Sequence, residues 1–159
     1  MLRTGRRAPA RIAALTLSLG LSLGVSVGLS ACGGSSEPSV STSAGAVASQ
    51  APATGAALDP VKFAAALKRP ATVILDVRTP AEYAAGHLPG AVNLDVESSD
   101  FLTGLDQLDP GVPYAVYCRS GNRSGVALTA MTARGFDKAY HLAGGITAWQ
   151  DAGGDVTTD

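Results

Sequence analysis

Tyr114-Ala115-Val116-Tyr117-Cys118-Arg119-Ser120-Gly121-Asn122-Arg123-Ser124 reads as a strand, a tight loop and the start of a helix. Tyr114 to Tyr117 is short, apolar and aromatic, as a buried strand should be. From Ser124 to Arg134 the pattern is helical, with Val126, Leu128, Ala130 and Met131 as apolar surface and Gly135 as terminator. A strand passing through a few residues into a helix is half of a βαβ unit, so the same alternation is sought on either side.

Upstream, Asp59-Pro60 starts a helix: aspartate caps it, proline suits its first turn, and Pro70 stops it. Thr72 to Val77 is a β-branched apolar strand. Thr79-Pro80-Ala81-Glu82 has capping-box spacing and predicts a short helix ending at Gly86. Ala91 to Leu94 reads as a brief strand, Asp100 to Leu108 as a helix, and Asp109-Pro110-Gly111 as a turn. Downstream come a strand from Lys138 to Leu142, a Gly144-Gly145 turn and a closing helix from Ile146 to Asp151 that carries Trp149. Strands alternating with helices predict an α/β fold with a mainly parallel sheet.

The chain has 159 residues, yet its apolar content of 46% is unevenly spread. Basic Met1 to Arg11, apolar Ile12 to Leu29 and small Ser30-Ala31-Cys32-Gly33-Gly34 have the layout of a secretory signal. Leu29-Ser30-Ala31-Cys32 resembles the lipobox of bacterial lipoproteins. That resemblance implies a signal peptide over residues 1–31 and acyl chains such as palmitate on Cys32, enough for stable membrane residence. An uncleaved transmembrane helix is the alternative, weighed down by the run's many Gly and Ser residues. Arg6-Arg7 is read as ordinary n-region charge rather than a twin-arginine signal. The Ser/Ala/Gly-rich stretch that completes residues 32–57 predicts a flexible tether, leaving residues 58–159 as the folded domain. The expected address is the outer face of a bacterial cytoplasmic membrane.

Four of the 12 basic residues precede the apolar run and all 13 acidic residues follow it, so the part beyond Cys32 carries a net −5. Such a domain lacks the basic face that nucleic acid requires. Its histidines, His87 and His141, are far apart, and no Cys/His cluster has zinc-ligand spacing. A Cys32–Cys118 disulfide is compatible with export, but the lipobox gives Cys32 another use.

In a parallel sheet, ligands bind beyond the carboxyl ends of the strands, which is where Cys118 falls. Gly121 lets the backbone curl and Ser124 is placed to cap the following helix. The loop should therefore offer backbone N–H groups at a positive helix end, with Arg119 and Arg123 adding full charges. A cysteine there is expected to be substantially thiolate, the nucleophilic form. The bland alternative, a buried structural cysteine, does not call for two neighbouring arginines.

These residues resemble a known family. Tyr117 to Ser124 is similar to the active-site loop of single-domain rhodaneses. Leu75-Asp76-Val77-Arg78-Thr79-Pro80-Ala81-Glu82-Tyr83 with Gly86-His87-Leu88-Pro89-Gly90-Ala91-Val92-Asn93 resembles the family's N-terminal signature. Gly135-Phe136 with Leu142-Ala143-Gly144-Gly145-Ile146-Thr147-Ala148-Trp149 resembles its C-terminal one. The resemblance implies a rhodanese-like three-layer α/β fold, a mainly parallel central sheet flanked by helices. It also implies a sulfurtransferase in which Cys118 becomes a persulfide, with Arg119, Ser120, Gly121, Asn122, Arg123 and Ser124 around the substrate. The donor would be a small anion, thiosulfate or polysulfide, and the acceptor cyanide or a thiol. No cofactor or metal is expected, and the domain is expected to be monomeric. Asp76 and Arg78 are read as a structural pair near the sheet end, His87 as a brace for the Pro89-Gly90 turn, Glu82 as a capping residue and Trp149 as core. The loop is Cys-x4-Arg, a residue shorter than the Cys-x5-Arg of related phosphatases and arsenate reductases, which favours sulfur over a tetrahedral oxyanion. A non-catalytic binding module and an extracytoplasmic thiol-redox protein remain the rival functions.

Overall fold

The computed structural model describes residues 47–159, so the expected signal peptide, Cys32 and the tether as far as residue 46 lie outside the described residues. The elements run β1 (Ala57–Leu58), α1 (Pro60–Leu67), β2 (Val73–Asp76), α2 (Pro80–Ala85), β3 (Val92–Asn93), α3 (Phe101–Leu105), β4 (Tyr114–Tyr117), α4 (Asn122–Thr132), β5 (Ala139–Leu142) and α5 (Gly145–Asp151). The strands form one sheet in the order β1-β5-β4-β2-β3, with every pairing parallel.

Local chemistry sets the helix starts. Asp59 accepts from the Lys62 N–H at 2.9 Å, and Pro60 occupies the first turn of α1, where its missing donor costs nothing. At α2 the Thr79 hydroxyl accepts from the Glu82 N–H while the Glu82 carboxylate accepts from the Thr79 N–H, a complete capping box.

Alternation along β4 divides the interior. Ala115 and Tyr117 face a cluster with Phe63, Leu142, Ile146 and Trp149, from α1, β5 and α5. Tyr114, Val116 and Cys118 face Phe101, Leu105, Leu128 and Met131, from α3 and α4. Burial on both faces makes β4 apolar at every position, and the two clusters make three layers, helices over sheet over helices. The three-layer α/β architecture with a parallel central sheet expected from sequence is the one observed.

Most boundaries shift by one or two residues, and three departures from expectation bear on the fold. Residues 47–57, assigned to the tether, pack on the domain. The Ala48 N–H bonds the Ala65 carbonyl at 3.0 Å, Gly55 bonds Ala139 at 2.7 Å, and β1 pairs with β5. Small residues without apolar period join the sheet through backbone bonds, which composition does not reveal. Helix α3 stops at Leu105 rather than Leu108, its continuation tightening into turns from Gln107 to Gly104 and from Leu108 to Leu105. Helix α4 starts at Asn122, two residues before Ser124, because Gly121 takes the N-cap position with φ +99.

Candidate active site

Cys118 follows β4 directly and is buried, at 1% exposure. Its sulfur accepts from the Gly121 N–H at 3.1 Å. Burial raises the thiol's proton affinity, but the Ser124 hydroxyl and the N–H groups of Ser124, Ser120 and Gly121 more than reverse it, so Cys118 ionises below an ordinary thiol. No side-chain oxygen caps α4. The sulfur takes that place, collecting the donors that the helix start leaves over. The expectation that Ser124 is the cap is corrected accordingly. As the third helical residue it lies inside α4, where its hydroxyl bonds the Gly121 carbonyl at 2.9 Å.

The loop carbonyls are held on the opposite side. The Ile146 N–H bonds the Cys118 carbonyl at 2.9 Å, and Thr147 reaches the Arg119 carbonyl through its N–H at 3.3 Å and its hydroxyl at 3.1 Å. Gly144 and Gly145 both have positive φ, +73 and +61, and swing the start of α5 beneath the loop. With its carbonyls bound from α5, the loop can direct its N–H groups at the sulfur.

Arg123 is engaged elsewhere. Its guanidinium makes paired bonds of 2.8 Å to both Glu82 oxygens and a further bond of 3.0 Å to Glu97. Arg123 holds the Glu82 carboxyl down to about 2, and Glu82 in turn raises Arg123 above its ordinary value. Two carboxylates thus share the Arg123 charge that the sequence assigned to the substrate, and the pairing ties α4 to α2. Arg119, Ser120 and Asn122 are exposed, Gly121 is half-buried and Ser124 is buried.

Asp76 and Arg78 form a buried pair. Arg78 Nη2 lies 2.6 Å from Asp76 Oδ2 and donates to the Gly86 carbonyl at 2.7 Å, while the Arg78 N–H bonds Asp76 Oδ1 at 2.9 Å. The Arg78 guanidinium also stands 5.5 Å from the Tyr117 ring centroid, and the Tyr117 hydroxyl accepts from the Leu88 N–H at 3.1 Å. This pair joins β2 to the segment after α2, beside the strand that carries Cys118.

A family model described as a rhodanese-like domain matches residues 59–152. The chain belongs to the rhodanese-like family. It is a rhodanese-like sulfurtransferase, 40% identical over 88 residues to the thiosulfate sulfurtransferase GlpE of Pseudomonas entomophila (strain L48), across 55% of this chain and 78% of that protein. The protein of the same name from Pseudomonas fluorescens (strain SBW25) is 38% identical over 92 residues, across 57% and 82% of the two chains. Among solved structures, the rhodanese-related protein of Thermoplasma volcanium superposes with a TM-score of 0.59 at 27% identity, covering 65% of this chain and 99% of that one. A rhodanese-like domain protein of Staphylococcus aureus gives 0.53 at 26% identity, over 59% and 90%.

Within this rhodanese-like fold, one neighbour of Cys118 escaped the sequence reading. His141 Nδ1 lies 2.9 Å from Ser124 Oγ, which lies 3.6 Å from Cys118 Sγ. Residues 118 and 141 are remote in sequence, but the register pairs Val116 with His141, one side-chain repeat below Cys118 on the same sheet face. His87, the other histidine, bonds the Tyr83 carbonyl through Nδ1 at 3.0 Å and stacks on the Tyr83 ring at 3.7 Å. Among the described residues no group of His, Cys, Asp and Glu could hold a metal ion, and no helix is long and apolar enough to cross a membrane.

Proposed function

We propose that Cys118 carries the transferred sulfur as a persulfide. The Cys118 thiolate attacks the outer sulfur of an anionic donor such as thiosulfate; a new S–S bond forms, the donor's S–S bond breaks, and sulfite leaves with the electron pair. Cyanide or a thiolate then takes the outer sulfur, and the Cys118 thiolate is the second leaving group. One observation carries this reading: the Cys118 sulfur sits at the focus of loop N–H groups and loses its proton more readily than an ordinary thiol. The attacking species is then already formed, and donors that stabilise a thiolate also stabilise a persulfide anion. The thiosulfate sulfurtransferase relatives support the donor class, and Arg119 is the exposed charge in the loop that would meet it.

A phosphoryl-transfer reading is disfavoured because Arg123, the cation such a loop would need on its oxyanion, is neutralised by Glu82 and Glu97. Mass spectrometry of the domain after thiosulfate should find about 32 Da, one sulfur atom, added at Cys118 and removed by cyanide. A Cys118→Ser variant should stay folded and gain nothing. Wild-type protein that releases no sulfite and acquires no sulfur would refute the reading in favour of a binding module, whereas glutathione adducts in its place would favour a thiol-redox protein.

We also propose that the domain works outside the cytoplasmic membrane, anchored through Cys32 in Leu29-Ser30-Ala31-Cys32. The expected result is a membrane-bound protein that Cys32→Ala releases from its acyl label. An unlabelled wild-type protein in the cytoplasm would overturn it.

A further inference from the structure

We propose that His141 is a positioning and proton-accepting residue for Cys118, acting through the Ser124 hydroxyl. This rests on Cys118 being the reactive sulfur and adds how its proton is handled.

The geometry is a chain of contacts, Cys118 Sγ to Ser124 Oγ at 3.6 Å and Ser124 Oγ to His141 Nδ1 at 2.9 Å. A hydroxyl has one proton and two lone pairs, and in the structure the Ser124 proton points to the Gly121 carbonyl at 2.9 Å, so the relay runs once that bond is released. Two arrangements follow. With the thiol protonated, S–H donates to Ser124 and Ser124 donates to Nδ1. With the thiol ionised, Nδ1–H donates to Ser124 and the Ser124 hydroxyl turns to the thiolate. Passage between them breaks S–H and forms O–H, while the original O–H breaks and N–H forms at Nδ1. The result is a thiolate and an imidazolium separated by an unchanged serine. Loss of the Nε2 proton to water then leaves a neutral imidazole with its proton on Nδ1.

An exit for that proton is present. His141 lines an open groove of about 560 Å³ with Gly55, Gly125, Leu128 and Thr129. A proton released from His141 into this groove leaves beside α4. The surroundings suit an acceptor. Burial lowers the proton affinity of His141 and the Gly121 carbonyl partly restores it, so the ring favours the neutral form more than a free imidazole does. Its register neighbours are Ala57 on β1 and Val116 on β4, and the α4 residues beside it in the groove are uncharged. Cys118, through Ser124, is the titratable group that faces it. The same chain works when sulfur departs, since Nδ1–H holds the Ser124 hydroxyl toward the thiolate that re-forms.

The test is nitrogen NMR of histidine-labelled domain across the Cys118 titration, with His87 as internal control. Nδ1 of His141 should change from bare to protonated as the thiol ionises, and this step should vanish in Cys118→Ser and in Ser124→Ala. In His141→Asn, an amide replaces the ring nitrogen without titrating, so iodoacetamide alkylation of Cys118 at neutral pH should slow by about tenfold, one unit of thiol pKa. An Nδ1 that keeps one state across the thiol titration, or His141→Asn alkylating with the wild-type pH profile, would overturn the proposal. Neither readout involves sulfur transfer, so a domain that failed to form persulfide would refute the sulfurtransferase mechanism and leave this relay standing on its own measurements.

Discussion

Gly145 lies so close to Cys118 that a Cβ built on it would stand 2.4 Å from the Cys118 carbonyl oxygen, and 2.5 Å from the carbonyl carbon of Arg119. The contact is backbone against backbone, and the Ile146 N–H holds the same Cys118 oxygen at 2.9 Å. Neither side can retreat without opening the loop. Gly145→Ala adds the strain of a side chain at φ +61 and should cost about 2–4 kcal/mol in urea unfolding. Sulfur transfer should drop by more than about tenfold, since misplaced loop donors are worth that much to a developing anion. Gly125, within α4, has nothing within 4 Å of its would-be Cβ. Gly125→Ala should raise stability by about 0.5–1 kcal/mol, the helix preference of alanine over glycine. Equal losses for both variants would remove the argument.

The Arg123–Glu82 pair makes stability depend on acid. Glu82 titrates near 2 in the fold, below its ordinary value of 4.5. A lowered carboxylate contributes stability that is fully present above the unfolded value and is lost as pH falls toward the folded one. Glu82→Gln should therefore be less stable than wild type by about 1–2 kcal/mol at pH 6, allowing for partial exposure, and the gap should close between about pH 4.5 and 2. Paired urea titrations at several pH values check this, and a gap that stays constant with pH would contradict it.

Asp76→Ala leaves the Arg78 guanidinium buried beside an empty site, with the Gly86 carbonyl as its remaining acceptor. A loss of about 3–5 kcal/mol is expected. Replacing Asp76 and Arg78 together by Asn and Met should recover part of it, because no uncompensated charge then remains. Chemical denaturation of the single and double variants decides, and a double variant as unstable as the single would count against charge as the cause.

A chain beginning at Asp59 keeps both hydrophobic clusters except for small contributions from Ala48, Ala56 and Leu58. It loses the backbone bonds from His141 to Ala56 and from Ala143 to Leu58. Stability should fall by about 1–3 kcal/mol, and amide exchange should rise along β5 rather than β2. Uniform loss of protection across the sheet would show that β1 has no local role.

The order of strands and helices was legible because each element announces itself locally. Thr79-Pro80-Ala81-Glu82 carries its own capping box, and TVILDV from Thr72 to Val77 is apolar enough to be buried on both sides. The setting of Cys118 was legible for the same reason: strand end, glycine and helix start are contiguous. What did not show depends on pairing between distant segments. β1 is two residues of ordinary composition whose place is set by β5. The partners of Arg123 come from α2 and from the loop after β3, which no spacing within the Cys118 loop can announce. His141 needed the register of β4 against β5, and a shift of one residue would have sent it to the opposite face.

The clamp under the Cys118 loop bears on how this domain could change its chemistry. Ile146 and Thr147 hold the first carbonyls of the loop, and a Cβ on Gly121 would meet the Gly144 nitrogen at 3.3 Å. An inserted residue therefore has nowhere to bulge while α5 stays in place. A route from sulfur to larger oxyanions has to pass through the start of α5 as well as through the loop. The fit of this loop to the single sulfur atom proposed for it thus depends as much on Gly144-Gly145-Ile146-Thr147 as on Cys118.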